Sequence, residues 1–145
     1  MDTKRGNATD MQDTAEAFFH ACESGDGWEA CSEHCHPDAT FSAQAAPLQG
    51  VDTVEEYTGW MQAQYEAMPD IEYEIPSLAP DADHDNVCIC AVLRGTHTGE
   101  GGPVPPTGKS VESDYAYLME FRDGKIEHVT KIWNAPFAMN QLGWA

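Results

Sequence analysis

The stretch SVESDYAYLMEFR (residues 110–122), followed by Asp123-Gly124 and then KIEHVTKIWN (residues 125–134), decides the architecture. Val111, Ser113, Tyr115, Tyr117, Met119 and Phe121 alternate with Glu112, Asp114, Ala116, Leu118 and Glu120. That period of two places the aromatic set on one face of a long strand. Asp-Gly is a strong short signal for a hairpin, because the favoured two-residue turn needs positive φ at both positions. Residues 126–135 are therefore predicted to return antiparallel.

Working upstream, residues 97–109 form a Gly/Pro-rich loop and residues 87–96 a long apolar strand. A polar turn over 79–86 separates it from a strand over 71–77. Earlier still the period is helical. Met11, Ala15, Phe18, Phe19 and Cys22 mark a helix capped by Asp10 and stopped by Gly25. A short helix runs from Trp28 to Cys35. A third opens with Asp52 and Glu55 as a capping box and carries Val54, Tyr57, Met61, Tyr65 and Met68 on one face. A short strand over 39–45 lies between the second and third helices, and the tail 136–145 holds one or two helical turns. Helices followed by strands without a dividing linker predict an α+β fold in a single domain, 1–145, with residues 1–8 as a loose arm. The sheet must wrap the helices to bury its inner face.

The chain has 145 residues, 41% of them hydrophobic, enough for a packed core. Seven Lys and Arg against 25 Asp and Glu give a net charge of −18. Such a surface repels nucleic acid and anionic membranes alike. No apolar run reaches the ~18 residues of a spanning helix, and the polar start is unlike a signal peptide. A cytoplasmic protein is expected. The carboxylates are scattered, which suits hydration and solubility better than steering of a cationic ligand.

Five cysteines without secretory context read as reduced thiols. Cys88 and Cys90 point the same way in a strand. Cys31 and Cys35, with His34 and His36, have the ingredients of a zinc site, but Trp28, Cys31 and Cys35 also make a buried helical stripe, and free cysteine favours burial. Core packing is the preferred reading, with no metal.

Three blocks then carry a family resemblance: Gly95-Thr96-His97-Thr98-Gly99-Glu100, Pro105-Pro106-Thr107-Gly108-Lys109, and Phe121-Arg122-Asp123-Gly124-Lys125-Ile126. In order and spacing they resemble the SnoaL-like polyketide cyclase (ester cyclase) family of the nuclear transport factor 2-like superfamily. His36-Pro37-Asp38-Ala39-Thr40-Phe41 and Gly50 before a capped helix agree more loosely. The resemblance implies a cone-shaped α+β barrel with a deep apolar pocket, often dimeric through the sheet's outer face. It implies aldol-type ring closure without cofactor, with an aspartate as acid/base; related folds host ketosteroid isomerase, dehydratases, epoxide hydrolases and binding proteins.

This sequence departs from that pattern at one position. Counting from Ile126, Asn134 stands where the family usually has its aspartate, and an amide exchanges no proton near neutral pH. Strict alternation puts Ile126, His128, Thr130, Ile132 and Asn134 on the pocket face and Glu127, Val129, Lys131 and Trp133 outside. His128 is thus the candidate general base, with Asn134 and Tyr115 or Tyr117 stabilising an oxyanion. Asp114 would stand in for the missing aspartate if the register of its strand were inverted. Thr130, Ile132, Trp60, Met61 and His97 are candidate ligand contacts, although His97 also reads as a loop-ordering residue. Val129 and Trp133, apolar and outward, favour a homodimer. Two functions follow: a cofactor-independent cyclase, isomerase or lyase acting on a small apolar carbonyl compound, or a non-catalytic small-molecule-binding domain.

Overall fold

A computed structural model describes residues 3–144, with side chains from residue 7 onward. The elements in chain order are α1 (Thr3–Glu23), α2 (Gly27–Cys31), β1 (Cys35–Ala43), α3 (Val54–Ala67), β2 (Glu72–Asp81), β3 (Asn86–Thr96), β4 (Ser110–Arg122), β5 (Lys125–Trp133) and α4 (Ala135–Leu142). The strands form one sheet in the order β1-β5-β4-β3-β2. β1 runs parallel to β5, and the other neighbours are antiparallel. The fold is α+β, with helices packed against a curved five-stranded sheet.

Local chemistry explains most boundaries. Asp123 (φ 52°) and Gly124 (φ 78°) supply the two positive φ angles of the β4–β5 hairpin. α1 is longer than its apolar stripe suggests. From Thr3 onward the expected arm is already helical, so Asp10 is an exposed residue within α1 and caps nothing; residues 1 and 2 lie outside the described residues. At the other end of α1, Gly25 (φ 75°) turns the chain under Tyr65, and a Cβ there would stand 2.7 Å from that ring. The capping box of α3 is one residue later than the sequence suggests. The Glu56 backbone N–H donates to Thr53 Oγ1, and the Thr53 backbone N–H donates to Glu56 Oε1. The second helix stops at Cys31, a 3-10 turn spans Ser32–His34, and Cys35 already belongs to β1.

The core lies between α1, α3 and the inner sheet face. Phe18, Phe19 and Cys22 from α1 and Val54, Tyr57 and Met61 from α3 meet Ile89, Tyr117, Met119 and Val129 from the strands, all essentially inaccessible. β4 alternates without interruption, turning Val111, Ser113, Tyr115, Tyr117, Met119 and Phe121 inward. β5 does not. Phe121 pairs with Ile126 and Glu120 with His128, so Glu127 is an extra residue, a β-bulge. Beyond the bulge the parity reverses: Val129, Lys131 and Trp133 point inward, and His128, Thr130 and Ile132 outward. The face assignment that strict alternation predicts is therefore corrected from residue 128 onward. Val129 and Trp133, expected on the outer face as a dimer contact, lie inside.

Candidate functional site

Beyond the Glu127 bulge, the inner face of β5 presents a lysine. Lys131 is 5% exposed, and its Nζ donates to Tyr57 Oη at 2.9 Å. Four aromatic rings surround the ammonium, with centroids 4.6 Å (Trp133), 5.0 Å (Tyr115), 5.1 Å (Trp60) and 5.2 Å (Tyr57) away. These distances suit cation–π attraction, which offsets part of the lost hydration. Each wall has its own local origin. Tyr57 and Trp60 are three apart on α3, and Tyr115 and Trp133 are cross-strand partners of β4 and β5. Trp133 is pinned by donating its indole N–H to Ser113 Oγ at 2.8 Å.

Behind the lysine a hydroxyl chain leads to a buried acid. Tyr57 and Tyr117 share a hydroxyl–hydroxyl hydrogen bond, and Tyr117 donates to Glu23 Oε2 at 2.6 Å. Tyr115 donates to the other oxygen, Oε1. Glu23 is fully inaccessible and is the only buried carboxylate among the described residues. The last turn of α1 holds it in place, since the Tyr65 hydroxyl donates to the Glu23 carbonyl oxygen at 2.6 Å and satisfies one of that helix's unpaired carbonyls. Among the described residues the two charges make no direct ion pair; Tyr57 and Tyr117 stand between them.

The electrostatics follow from burial. Desolvation pushes the Glu23 carboxyl above its usual range, while the Lys131 charge and the Tyr115 and Tyr117 hydroxyls pull it partly back. Burial pulls the Lys131 ammonium down to about 8, against the opposing attraction of Glu23. Tyr57, Tyr115 and Tyr117 are all driven upward by burial and then by the Glu23 charge, so they stay neutral donors. An amine and a carboxyl are each brought closer to neutral pH, with hydroxyls between them able to pass a proton.

Lys131 and Tyr115 face a cavity of about 530 Å³. Trp60 and Met61 of α3, Trp133 of β5, Val111 of β4, and Met139 and Leu142 of α4 make most of its wall apolar. Lys131 is the only charged side chain lining it among the described residues. The volume suits a small organic molecule. Among the described residues, no group of three or more His, Cys, Asp or Glu converges as metal ligands. Cys22, Cys31 and Cys35 are buried in the core, and His36 turns away to the Arg122 carbonyl at 2.6 Å.

The residues singled out from the sequence divide into two groups. Tyr115, Tyr117, Trp60 and Met61 belong to this constellation or its cavity. His128 does not: on the outer face its ring bonds Thr40 Oγ1 (2.7 Å) and Ser42 Oγ (3.0 Å) of β1. Thr130 lies on that outer face too, and Ile132 is 65% exposed there. Asn134 caps α4, its Oδ1 accepting from the Phe137 N–H at 3.2 Å. Asp114 is exposed on the outer face of β4. His97 is fully buried behind the cavity wall, where Nδ1 accepts from Trp144 Nε1 at 2.9 Å and from the Thr107 N–H at 3.3 Å. It ties the 97–109 loop to the C-terminal segment.

Glu23 and Lys131 escape sequence reasoning for different reasons. Glu23 follows Phe19 by one helical turn, so the apolar stripe of α1 already points to it. Lys131 gives no such signal, because its inward placement depends on the bulge.

Comparisons with known proteins bear on the family and the fold. The model of the SnoaL-like polyketide cyclase family matches residues 10–142. Among solved structures, the chain is similar to a candidate SnoaL-like polyketide cyclase from Jannaschia sp. CCS1, with TM-score 0.78, 21% identity, and coverage of 95% of this chain and 94% of that one. It is similar to IdmH, a candidate polyketide cyclase from Streptomyces antibioticus, with TM-score 0.70, 28% identity, and coverage of 90% and 96%. The fold also matches an LEH-like epoxide hydrolase from M. tuberculosis, with TM-score 0.65, 12% identity, and coverage of 93% and 90%. No curated protein matches the sequence.

Proposed function

The chain belongs to the SnoaL-like polyketide cyclase family, and from that membership we propose that it is a cofactor-independent enzyme moving protons on a small, largely apolar carbonyl compound. The observation that carries this reading is the connection of a buried carboxyl to an apolar cavity through Tyr115, whose side chain lines the cavity and whose hydroxyl donates to Glu23. In the proposed step, Tyr115 oxygen takes the proton α to the carbonyl while its own proton passes to Glu23. The two transfers are concerted, because a free tyrosinate beside the Glu23 charge is disfavoured. The carbonyl oxygen, becoming an enolate, gains from the nearby Lys131 charge in a water-poor site. Reprotonation at another carbon gives isomerisation, and attack of the enolate on a second carbonyl gives ring closure.

The direct test is exchange of α-hydrogen for deuterium in a simple enolisable ketone, 2-tetralone, followed by NMR in D2O. Protein-dependent exchange that falls by ~10² or more in Glu23→Gln and in Tyr115→Phe supports the proposal. A ketone that binds without exchanging leaves the chain a small-molecule-binding domain. Pairing of two copies belongs to the same proposal in revised form. The outer sheet face exposes Ile132, with Leu118 and Val92 half-buried beside Cys90, and an isologous contact there would cover them.

A further inference from the structure

Lys131 is unusually served for a buried ammonium. Of its three N–H directions one meets an oxygen, that of Tyr57. The rest of its surroundings are the rings of Trp60, Tyr115 and Trp133, and no carboxylate pairs with it directly among the described residues. It lines the cavity and faces the space a carbonyl compound would fill. We propose that Lys131 is a covalent catalyst, its amine condensing with a ketone or aldehyde carbonyl in the cavity to form an iminium ion. This rests on the carbonyl-substrate reading above and goes one step past it, from a charge near the oxygen to a bond to the carbon.

The step balances with the groups present. The Nζ lone pair attacks the carbonyl carbon, and the C=O π pair moves to oxygen. That oxygen takes a proton from the Tyr57 hydroxyl, and the nitrogen, positively charged once it has attacked, returns one to the Tyr57 oxygen to which it is hydrogen-bonded. In the resulting carbinolamine the C–O bond then breaks. The oxygen leaves as water with a second proton, supplied by the Glu23 carboxyl through Tyr117 and Tyr57. The nitrogen lone pair closes the C=N bond, and Glu23 is left as the carboxylate that later takes the α-proton through Tyr115. No oxidant or reductant is needed. The rings that surround the ammonium then surround an iminium of the same charge, so the cation–π contribution survives the reaction. An apolar wall disfavours the charged amine and so promotes the nucleophilic form; desolvated lysines act as Schiff-base nucleophiles for this reason. The iminium is a stronger electron sink than the carbonyl, which makes the α-proton easier for Tyr115 and Glu23 to remove.

The experiment pairs two readouts on the intact protein with 2-tetralone as the probe. Sodium borohydride is added to one portion, and α-deuterium exchange is followed in another. Irreversible gain of the ketone's mass less one oxygen atom, mapped to Lys131 and not to Lys4, Lys109 or Lys125, is the expected result. It should vanish in Lys131→Arg and Lys131→Met. Exchange without trapping overturns the covalent step and leaves the proton-transfer reading standing. Neither exchange nor trapping, with the ketone bound, overturns both. Peptide mapping of the unmutated protein locates the trapped lysine even if both lysine variants fail to fold.

Discussion

β4 and β5 lie side by side, yet they hold their inward residues by different rules. In β4 every second residue from Val111 to Phe121 faces the helices, and the aromatic hydroxyls of Tyr115 and Tyr117 arrive at Glu23 by plain alternation. In β5 a single extra residue, Glu127, lets Ile126 and Val129 both be buried and brings Lys131 inside. The bulge is held on the exposed side, where Arg122 Nε donates to Glu127 Oε2 at 2.8 Å and the Thr40 hydroxyl donates to the Glu127 carbonyl at 3.5 Å. The acid's hydroxyl partners therefore come from regular pairing, and the amine comes from an irregularity. A bulge next to a reactive cleft re-aims a side chain without changing the sheet around it.

Deleting Glu127 attacks that difference most directly. β5 must then either turn Lys131 and Trp133 outward or slip in register against two neighbours. A loss of about 4 kcal/mol or more is expected, the range of core disruption. For a chain of this length that lowers Tm by ~10 °C or more in a circular-dichroism melt. An unchanged melting curve would mean that the bulge does not set the parity.

Next in size is the pH dependence that Lys131 imposes on stability. It titrates near 8 in the fold against 10.5 in the unfolded chain. Over that window the unfolded chain binds the extra proton, so unfolding free energy rises with pH, by up to about 3 kcal/mol in all. The groups facing it are Glu23 and Cys22 from α1, Tyr57 from α3, and Tyr115 and Tyr117 from β4. Glu23, raised by burial, works against the rise wherever the fold still holds its proton. The tyrosines act with opposite sign near pH 10, because they ionise in the unfolded chain first. In urea unfolding between pH 8 and 9.5 the thiols of Cys22 and Cys35, raised by burial, pull stability down with pH in both proteins. The Lys131 effect is therefore read as the difference in unfolding free energy between the unmutated protein and Lys131→Met, which should rise across that interval. A flat difference assigns the pH dependence to another group.

The covalent step gives the same lysine a kinetic signature. α-Proton exchange should climb about tenfold from pH 7 to pH 9 as the free amine becomes populated. A lysine acting only as a charge would instead lose effect over that interval. Rates in D2O across that range separate the two.

Two smaller effects test the outer faces. Ile132→Lys should convert the proposed dimer to monomer in light scattering and leave Tm within about 2 °C, since an exposed position tolerates charge. His128→Gln should change α-proton exchange by less than about twofold, because its ring is tied to Thr40 and Ser42 on the far side of the sheet from the cavity. A large loss would return His128 to the chemistry.

The fold is legible in the sequence because its signals are local and redundant. The Asp123-Gly124 turn, the unbroken alternation of residues 111–121 and the helical stripe of Phe18, Phe19 and Cys22 each point to the same architecture. The site is half legible. Tyr115, Tyr117, Trp60 and Met61 follow from period and burial alone. Lys131 does not, because a lysine on a strand is expected in water and only a one-residue irregularity turns it inward. His128 and Asn134 look catalytic for the same reason reversed. Their face is counted through Glu127 as though it were paired. One hint is present: after Glu127 the set Val129, Lys131 and Trp133 is richer in apolar residues than the set His128, Thr130, Ile132 and Asn134.

The cage around Lys131 also makes the protein its own optical indicator. Two of its four walls are the indoles of Trp60 and Trp133, which meet edge to face with centroids 6.0 Å apart beneath one titrating nitrogen. A proton added to or taken from that nitrogen changes the field across both chromophores at once. A bound carbonyl compound that converts the amine to an iminium changes it again. The emission of the native chain should therefore carry a titration step near pH 8 and a second response to an apolar ketone, both lost when position 131 holds methionine. Occupancy and ionisation of the cavity are then readable without a substrate label, from light the protein already emits.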